Sequence, residues 1–186
     1  VYVLADIDTS KIIFDRYLQA VPEQLKQASV QDKFIYQMNL IPWNRDLDVD
    51  AEVNIASAVY NDIPLEKIYL HINTNQEHMD VKKFSVDNIA GASLSLSMNA
   101  DKIFSAPYFN ELSYDIKTDN FPLFASTLGI DTGSKNLFKR KIFAAQGAMS
   151  GTLSEFSLSS VQKFGDTEFS YTGVVANNSK EGAAVN

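Results

Sequence analysis

The stretch "DLDVDAEVNIA", residues 46–56, decides how the chain is read. Leu47, Val49, Ala51, Val53 and Ile55 occupy every second position, and Asp46, Asp48, Asp50, Glu52 and Asn54 fill the places between. Successive side chains of a strand point to opposite faces, so this pattern predicts a strand with one apolar and one wet face. The same device returns in "EKIYLHIN" with Ile68, Leu70 and Ile72, and in "ASLSLSMNA" with Leu94, Leu96 and Met98. It returns again in "ELSYDIKTD" (Leu112, Tyr114, Ile116) and in "DTEFSYTGVV" (Phe169, Tyr171, Gly173, Val175).

Two segments break the alternation. In "HMDVKKFSVDNIAG" Met79 and Val81 are in phase, while Phe84 and Val86 have slipped by one, as at a bulge or a tight turn. In "SGTLSEFSLSS", residues 150–160, Leu153 and the pair Phe156 and Leu158 are likewise out of phase, which suggests a strand curved by a bulge. The opening "VYVLADID" reads as a further strand. Spacing of about 8 to 12 residues between turn signals predicts some eight short antiparallel strands. Helix is scarce: "TSKIIFDRYLQA" starts at a possible Thr9 or Ser10 cap but would also suit a strand, and "FPLFASTLGI" ends at Gly129. One domain over residues 1–176 is expected, followed by a flexible polar tail, 177–186.

Charge and composition narrow the function. With 23 acidic against 16 basic residues the formal charge is −7, which disfavours a nucleic-acid partner, since such proteins neutralise phosphates with Lys and Arg. There is no cysteine, so disulfides, Cys-based zinc sites and Cys nucleophiles are excluded. Asp46, Asp48 and Asp50 resemble the start of a calcium loop, but the sixth and twelfth places hold Ala51 and Ser57 rather than Gly and Glu. His71 and His78 have no regular carboxylate partner in sequence and are expected to face solvent. "GAMSG" is not a nucleophile elbow, and no phosphate-cradling loop occurs, so neither an enzyme nor a cofactor is expected. Lys135, Lys139, Arg140 and Lys141 form the basic cluster, read as a solvated loop or as a surface for anionic head groups.

The order of these features resembles the AsmA family of bacterial envelope proteins. "LADIDTSKIIFDRYL" is similar to that family's D-x-D…L-x-x-D-x-Y-L segment. "IPLEKIYLHINTNQEHMDVKKFSVDNIAGASLSLSM" resembles its next block, "FPLFASTLGI" the short helix after it, and "GAMSGTLSEFSLSS" its G-x-x-S/G-G-x-L-x-x-L-x-L unit. Relatives often carry two glycines where this chain has Ala90-Gly91, and the usual N-terminal membrane anchor is absent from this chain, which opens on Val1 and is expected to be a fragment of a longer protein. The stripes alone are met most simply by a closed sandwich, a binding or structural module whose two sheets cover each other. The resemblance implies a mainly β fold instead: an antiparallel, curved and partly open sheet forming an elongated groove, with a few short helices. It further implies a periplasmic location in a protein anchored to the inner membrane, support of phospholipid transport or outer-membrane homeostasis, and phospholipid acyl chains, with membrane or envelope proteins, as partners. On that reading the groove candidates are Leu47, Val49, Val53, Ile55, Ile68, Leu70, Ile72, Leu94, Leu96, Met98, Leu153, Phe156 and Leu158, some of them core, with the basic cluster at the head groups.

Overall fold

The computed structural model describes residues 2–13, 32, 35, 36, 39, 48–60, 62–127, 142–178 and 182–185. They form eleven strands and one complete short helix. The strands are β1 (Tyr2–Thr9), β2 (Ile12–Ile13), β3 (Asp48–Tyr60), β4 (Ile63–Asn75), β5 (His78–Ile89), β6 (Ala92–Asp101) and β7 (Tyr108–Thr118). Helix α1 (Phe121–Thr127) follows, then β8 (Phe143–Thr152), β9 (Glu155–Phe164), β10 (Thr167–Asn178) and β11 (Gly182–Val185). All belong to a single sheet in the order β1-β3-β4-β5-β6-β7-β8-β9-β10-β11, with β2 also on β3. The sheet does not close on itself, and the described residues hold no second sheet, so the sandwich alternative lacks its other half.

From β3 to β11 every neighbouring pair is antiparallel, as the alternation and short turns predict. At the other edge β1 and β2 run parallel to β3, so the sheet is mixed. Ile12 and Ile13 are therefore strand, and the rest of that helix-or-strand segment, 14–20, lies outside the described residues. β11 lies inside the stretch expected to be a polar tail and pairs with the end of β10.

Bulges bend the sheet without turning apolar side chains outward. Pairing shifts between Val81 and Phe84, where the sequence slipped phase, so Phe84 still faces Leu70 and Leu96. A second slip is shared by three strands: Ile55 to Ala58, Leu65 to Ile68 and Val86 to Ile89 each step three residues while the facing pairs Ala58–Leu65 and Leu65–Ile89 are kept. Ile55, Ala58, Leu65, Ile68 and Val86 make one buried cluster there. A one-residue slip in a single strand would have thrown its apolar set to the other face; matched slips avoid that.

The apparent bulge in "SGTLSEFSLSS" is a chain reversal. Leu153 and Ser154 form the turn between β8 and β9, and Gly151 pairs with Phe156 across it. Thr152 closes the turn with its side chain: Oγ1 accepts the Glu155 N–H at 3.1 Å and bonds Ser154 Oγ at 2.9 Å. Gly151 sits at φ +122°, and a Cβ there would lie 2.6 Å from the Glu155 carbonyl oxygen, so the close approach requires glycine.

Candidate functional site

Register places the striped residues on one face in rows that cross the strands. The central row runs Val53, Leu70, Phe84, Leu96, Tyr114, then Gly147, Ser160 and Tyr171. The next row on one side runs Ala51, Ile72, Val81, Met98, Leu112, Met149, Leu158. On the other side lie Ile55, Ile68, Val86, Leu94, Ile116, Ala145. Val49 and Phe156 stand one row beyond Ala51 and Leu158 on that same face.

Both ends of the strands are covered on this face. Residues 102–107 fold back between β6 and β7, held by Ser105 and Ala106 N–H bonds to the Lys102 carbonyl and by Ile103 N–H to Glu77 O. Ile103, Phe104 and Pro107 are buried, the first two against Ala51, Ile72, Met79, Val81, Ala100 and Phe109. At the opposite end α1 buries Phe121, Phe124 and Ala125 against Ala92, Phe143 and Ala145. Asn120 caps this helix, its Oδ1 accepting the Leu123 N–H at 3.4 Å. Phe143 stacks obliquely with Phe121 and Phe164, both at 4.7 Å.

Between these covers the central row is half-exposed. Val53, Leu70, Phe84, Leu96 and Tyr114 are all partly accessible, as are Leu94, Met98, Leu112, Met149, Phe156 and Leu158 in the rows beside it. The candidates divide accordingly. Ile55, Ile68 and Ile72 are core, 4 to 7% exposed. Val49, Val53, Leu70, Leu94, Leu96, Met98, Phe156 and Leu158 line the half-open face, and Leu153 packs against its margin from the turn. Leu47 and the basic cluster Lys135, Lys139, Arg140 and Lys141 lie outside the described residues.

One polar contact crosses the apolar row. Tyr114 Oη donates to Ser160 Oγ at 2.7 Å, and Ser160, 1% exposed, donates in turn to the Gln146 carbonyl at 3.4 Å. The residue between them is Gly147. An added Cβ there would meet Tyr114 Oη at 2.7 Å and the ring at 2.8 Å, so the tyrosine lies directly over the glycine and covers a backbone that has no side chain of its own.

The opposite face is polar. A depression of about 630 Å³ lies on it, lined by Ser95, Ser97, Ser113 and Ser159 and flanked by Lys82 and Lys83. Ser97 and Ser113 bond each other at 2.6 Å, and Thr172 donates to Ser159 at 3.4 Å, so the hydroxyls of Ser97, Ser113 and Ser159 are engaged within the sheet. Both histidines have carboxylate partners that sequence spacing did not reveal, because the partners are on neighbouring strands. His71 Nε2 is 3.0 Å from Asp50 Oδ1, and His78 Nδ1 is 2.8 Å from Asp101 Oδ1. Asn110 donates to Asp101 Oδ2 at 2.7 Å and to Asn99 Oδ1 at 2.8 Å. These bonds, that of Asn110 first and that of His78 second, hold the Asp101 carboxyl below its ordinary pKa. No group of three or more metal-ligating side chains occurs among the described residues.

Lys67 reaches Asp87 at 3.5 Å, and Glu66 accepts from Asn88. Fold and site together define an open, single-sheet β protein with one accessible apolar face. Comparison with known protein families, with curated proteins and with solved structures finds no match to this chain.

Proposed function

We propose that this chain is the β-rich part of an AsmA-like envelope protein, and that its apolar face shields phospholipid acyl chains in support of lipid transport or outer-membrane homeostasis. The setting proposed is the periplasm, in a protein held at the bacterial inner membrane. The observation that carries the reading is the half-exposed central row in a sheet that does not close.

An apolar stripe left accessible is covered by something apolar, because removing each CH₂ from water contributes about 0.8 kcal/mol. The dimensions support a lipid cover. Val53 to Leu96 spans three strand spacings, about 14 Å at the usual separation. One acyl chain accounts for about half of the ~30 Å hydrocarbon core of a bilayer, so it matches this uninterrupted apolar length. The covers at 102–107 and α1 close the ends of the strands, so a chain would lie across the strands, along the row. The role is passive shielding, with head groups left in water, and it assigns no catalytic residue.

The test is to purify the chain from a bacterial host, extract it and measure bound phospholipid by mass spectrometry, with a photoreactive residue at Leu70 or Leu96 in parallel. Stoichiometric phospholipid and crosslinks to acyl chains are expected. Delipidated protein and no lipid adduct at either position would refute the proposal.

A further inference from the structure

The central row of the apolar face changes character halfway across the sheet. On β3 to β6 it is Val53, Leu70, Phe84 and Leu96, and on the three strands that follow it is Tyr114, Gly147 and Ser160. Gln162, the next residue of β9 on that face, stands opposite Ala145 and is half-exposed. Its carboxamide makes no hydrogen bond among the described residues, so two donors and an acceptor are left on an otherwise apolar face. Tyr114 adds a further acceptor. Its hydroxyl hydrogen is spent on Ser160 Oγ at 2.7 Å, and that of Ser160 on the Gln146 carbonyl at 3.4 Å, so Tyr114 Oη still offers a lone pair. Ser160, 1% exposed, is fixed by burial, and the glycine at 147 leaves the space in which the ring lies. The hydroxyl is thereby held at one place on the face, over β8. These strands have a neighbour on both sides, so the setting of the polar groups does not depend on either edge of the sheet.

We infer that Tyr114 and Gln162 orient the bound lipid, with its ester and glycerol level over β7–β9 and its tail running over β6 toward β3, a placement that rests on the acyl-chain reading of this face. Methylenes laid over Gln162 and Tyr114 Oη would strip water from both and return no hydrogen bond. An ester carbonyl accepts from the Gln162 N–H and a glycerol hydroxyl donates to Tyr114 Oη, so the polar end of a lipid restores both. Over Val53, Leu70, Phe84 and Leu96 the preference is reversed, because hydrocarbon is what those side chains keep from water. Apolar surface continues past the tyrosine at Leu112, Met149 and Leu158, on the side away from Gln162. The polar groups therefore border the row and set one resting orientation without closing the path.

The test uses the 186-residue chain, delipidated and loaded from phosphatidylglycerol vesicles doped with a phosphatidylcholine probe. The acyl chain of the probe carries a diazirine either beside the ester or near the terminal methyl, and after photolysis peptide mass spectrometry reads which strands are labelled. The ester-side probe is expected on β7–β9 and the methyl-side probe on β3–β5, each favoured over the reverse by about fivefold, the ratio that one net hydrogen bond supports. Tyr114→Phe and Gln162→Leu keep the bulk and remove the polar groups, and each brings the ratio toward one. Ser97→Ala, which breaks a hydroxyl pair of similar length on the opposite face, leaves the ratio unchanged. Absence of any lipid adduct would refute the acyl-chain reading and the orientation with it. Adducts without strand preference, in reversed order, or indifferent to both substitutions would overturn the orientation alone.

Discussion

Replacing Gly147 by alanine tests the most specific contact on the apolar face. The new methyl would lie 2.4 Å from the Ser159 carbonyl oxygen and 2.7 Å from Tyr114 Oη. The first is backbone of the neighbouring strand, so β8 and β9 must spread locally; the second can be relieved by swinging the ring away. Forcing a methyl into packed space costs about 2 kcal/mol. Displacing Tyr114 leaves the buried Ser160 hydroxyl with only its 3.4 Å bond to Gln146, a loss of about 1 kcal/mol. The sum is about 3 kcal/mol, or about 1.5 M in urea midpoint at a slope of about 2 kcal/mol/M. Urea unfolding followed by circular dichroism measures it. In a Tyr114→Ala background the alanine costs less, because only the backbone contact remains. A midpoint within about 0.2 M of the parent would refute the placement of the ring over the glycine.

Two further substitutions probe separate features. Ala90, in the β5–β6 turn, is held at φ +52° ahead of Gly91 at +77°, in the left-handed region where a Cβ costs about 1–2 kcal/mol. Ala90→Gly is therefore expected to stabilise by up to about 1 kcal/mol after glycine's added unfolded-state entropy, read as a higher melting temperature. Asp101 has a folded pKa below its unfolded one, so its contribution is present above the ordinary carboxylate range and is lost as pH falls through the lowered value. The stability gap between the parent and Asp101→Asn should accordingly be open at pH 6 and close in strong acid, as urea midpoints across that range would record.

What was legible in the sequence follows from how local each cause is. Period-two stripes depend on successive residues alone, so the single apolar face and most strands of the meander could be read from Asp48 onward. The Val81–Phe84 bulge was visible for the same reason: phase slipped where two lysines, not turn residues, intervened. The same logic misjudged residues 150–160, because the turn residues themselves are Leu153 and Ser154, closed by the Thr152 side chain, while Gly151 lies in the strand before them. Parallel pairing of β1 with β3 left no trace, since it joins segments separated by residues 10–47. The cover formed by Ile103 and Phe104 was passed over because two apolar residues between strands make no period. Its one signal was a bulky apolar pair followed closely by Pro107. The histidine partners required knowing which strands are neighbours.

From β3 to β11 the spatial order of strands repeats the order of the chain. Each strand pairs through its backbone only with its predecessor and successor, with side-chain contacts such as Tyr114–Ser160 reaching one strand further. The sheet therefore behaves nearly as a linear array in which stability is the sum of local couplings. Loss of an outer hairpin shortens such an array without dismantling it, and insertion of one lengthens it by about 10 Å. The span of the apolar face is therefore a quantity that hairpin count can tune, independently of the chemistry of any single row.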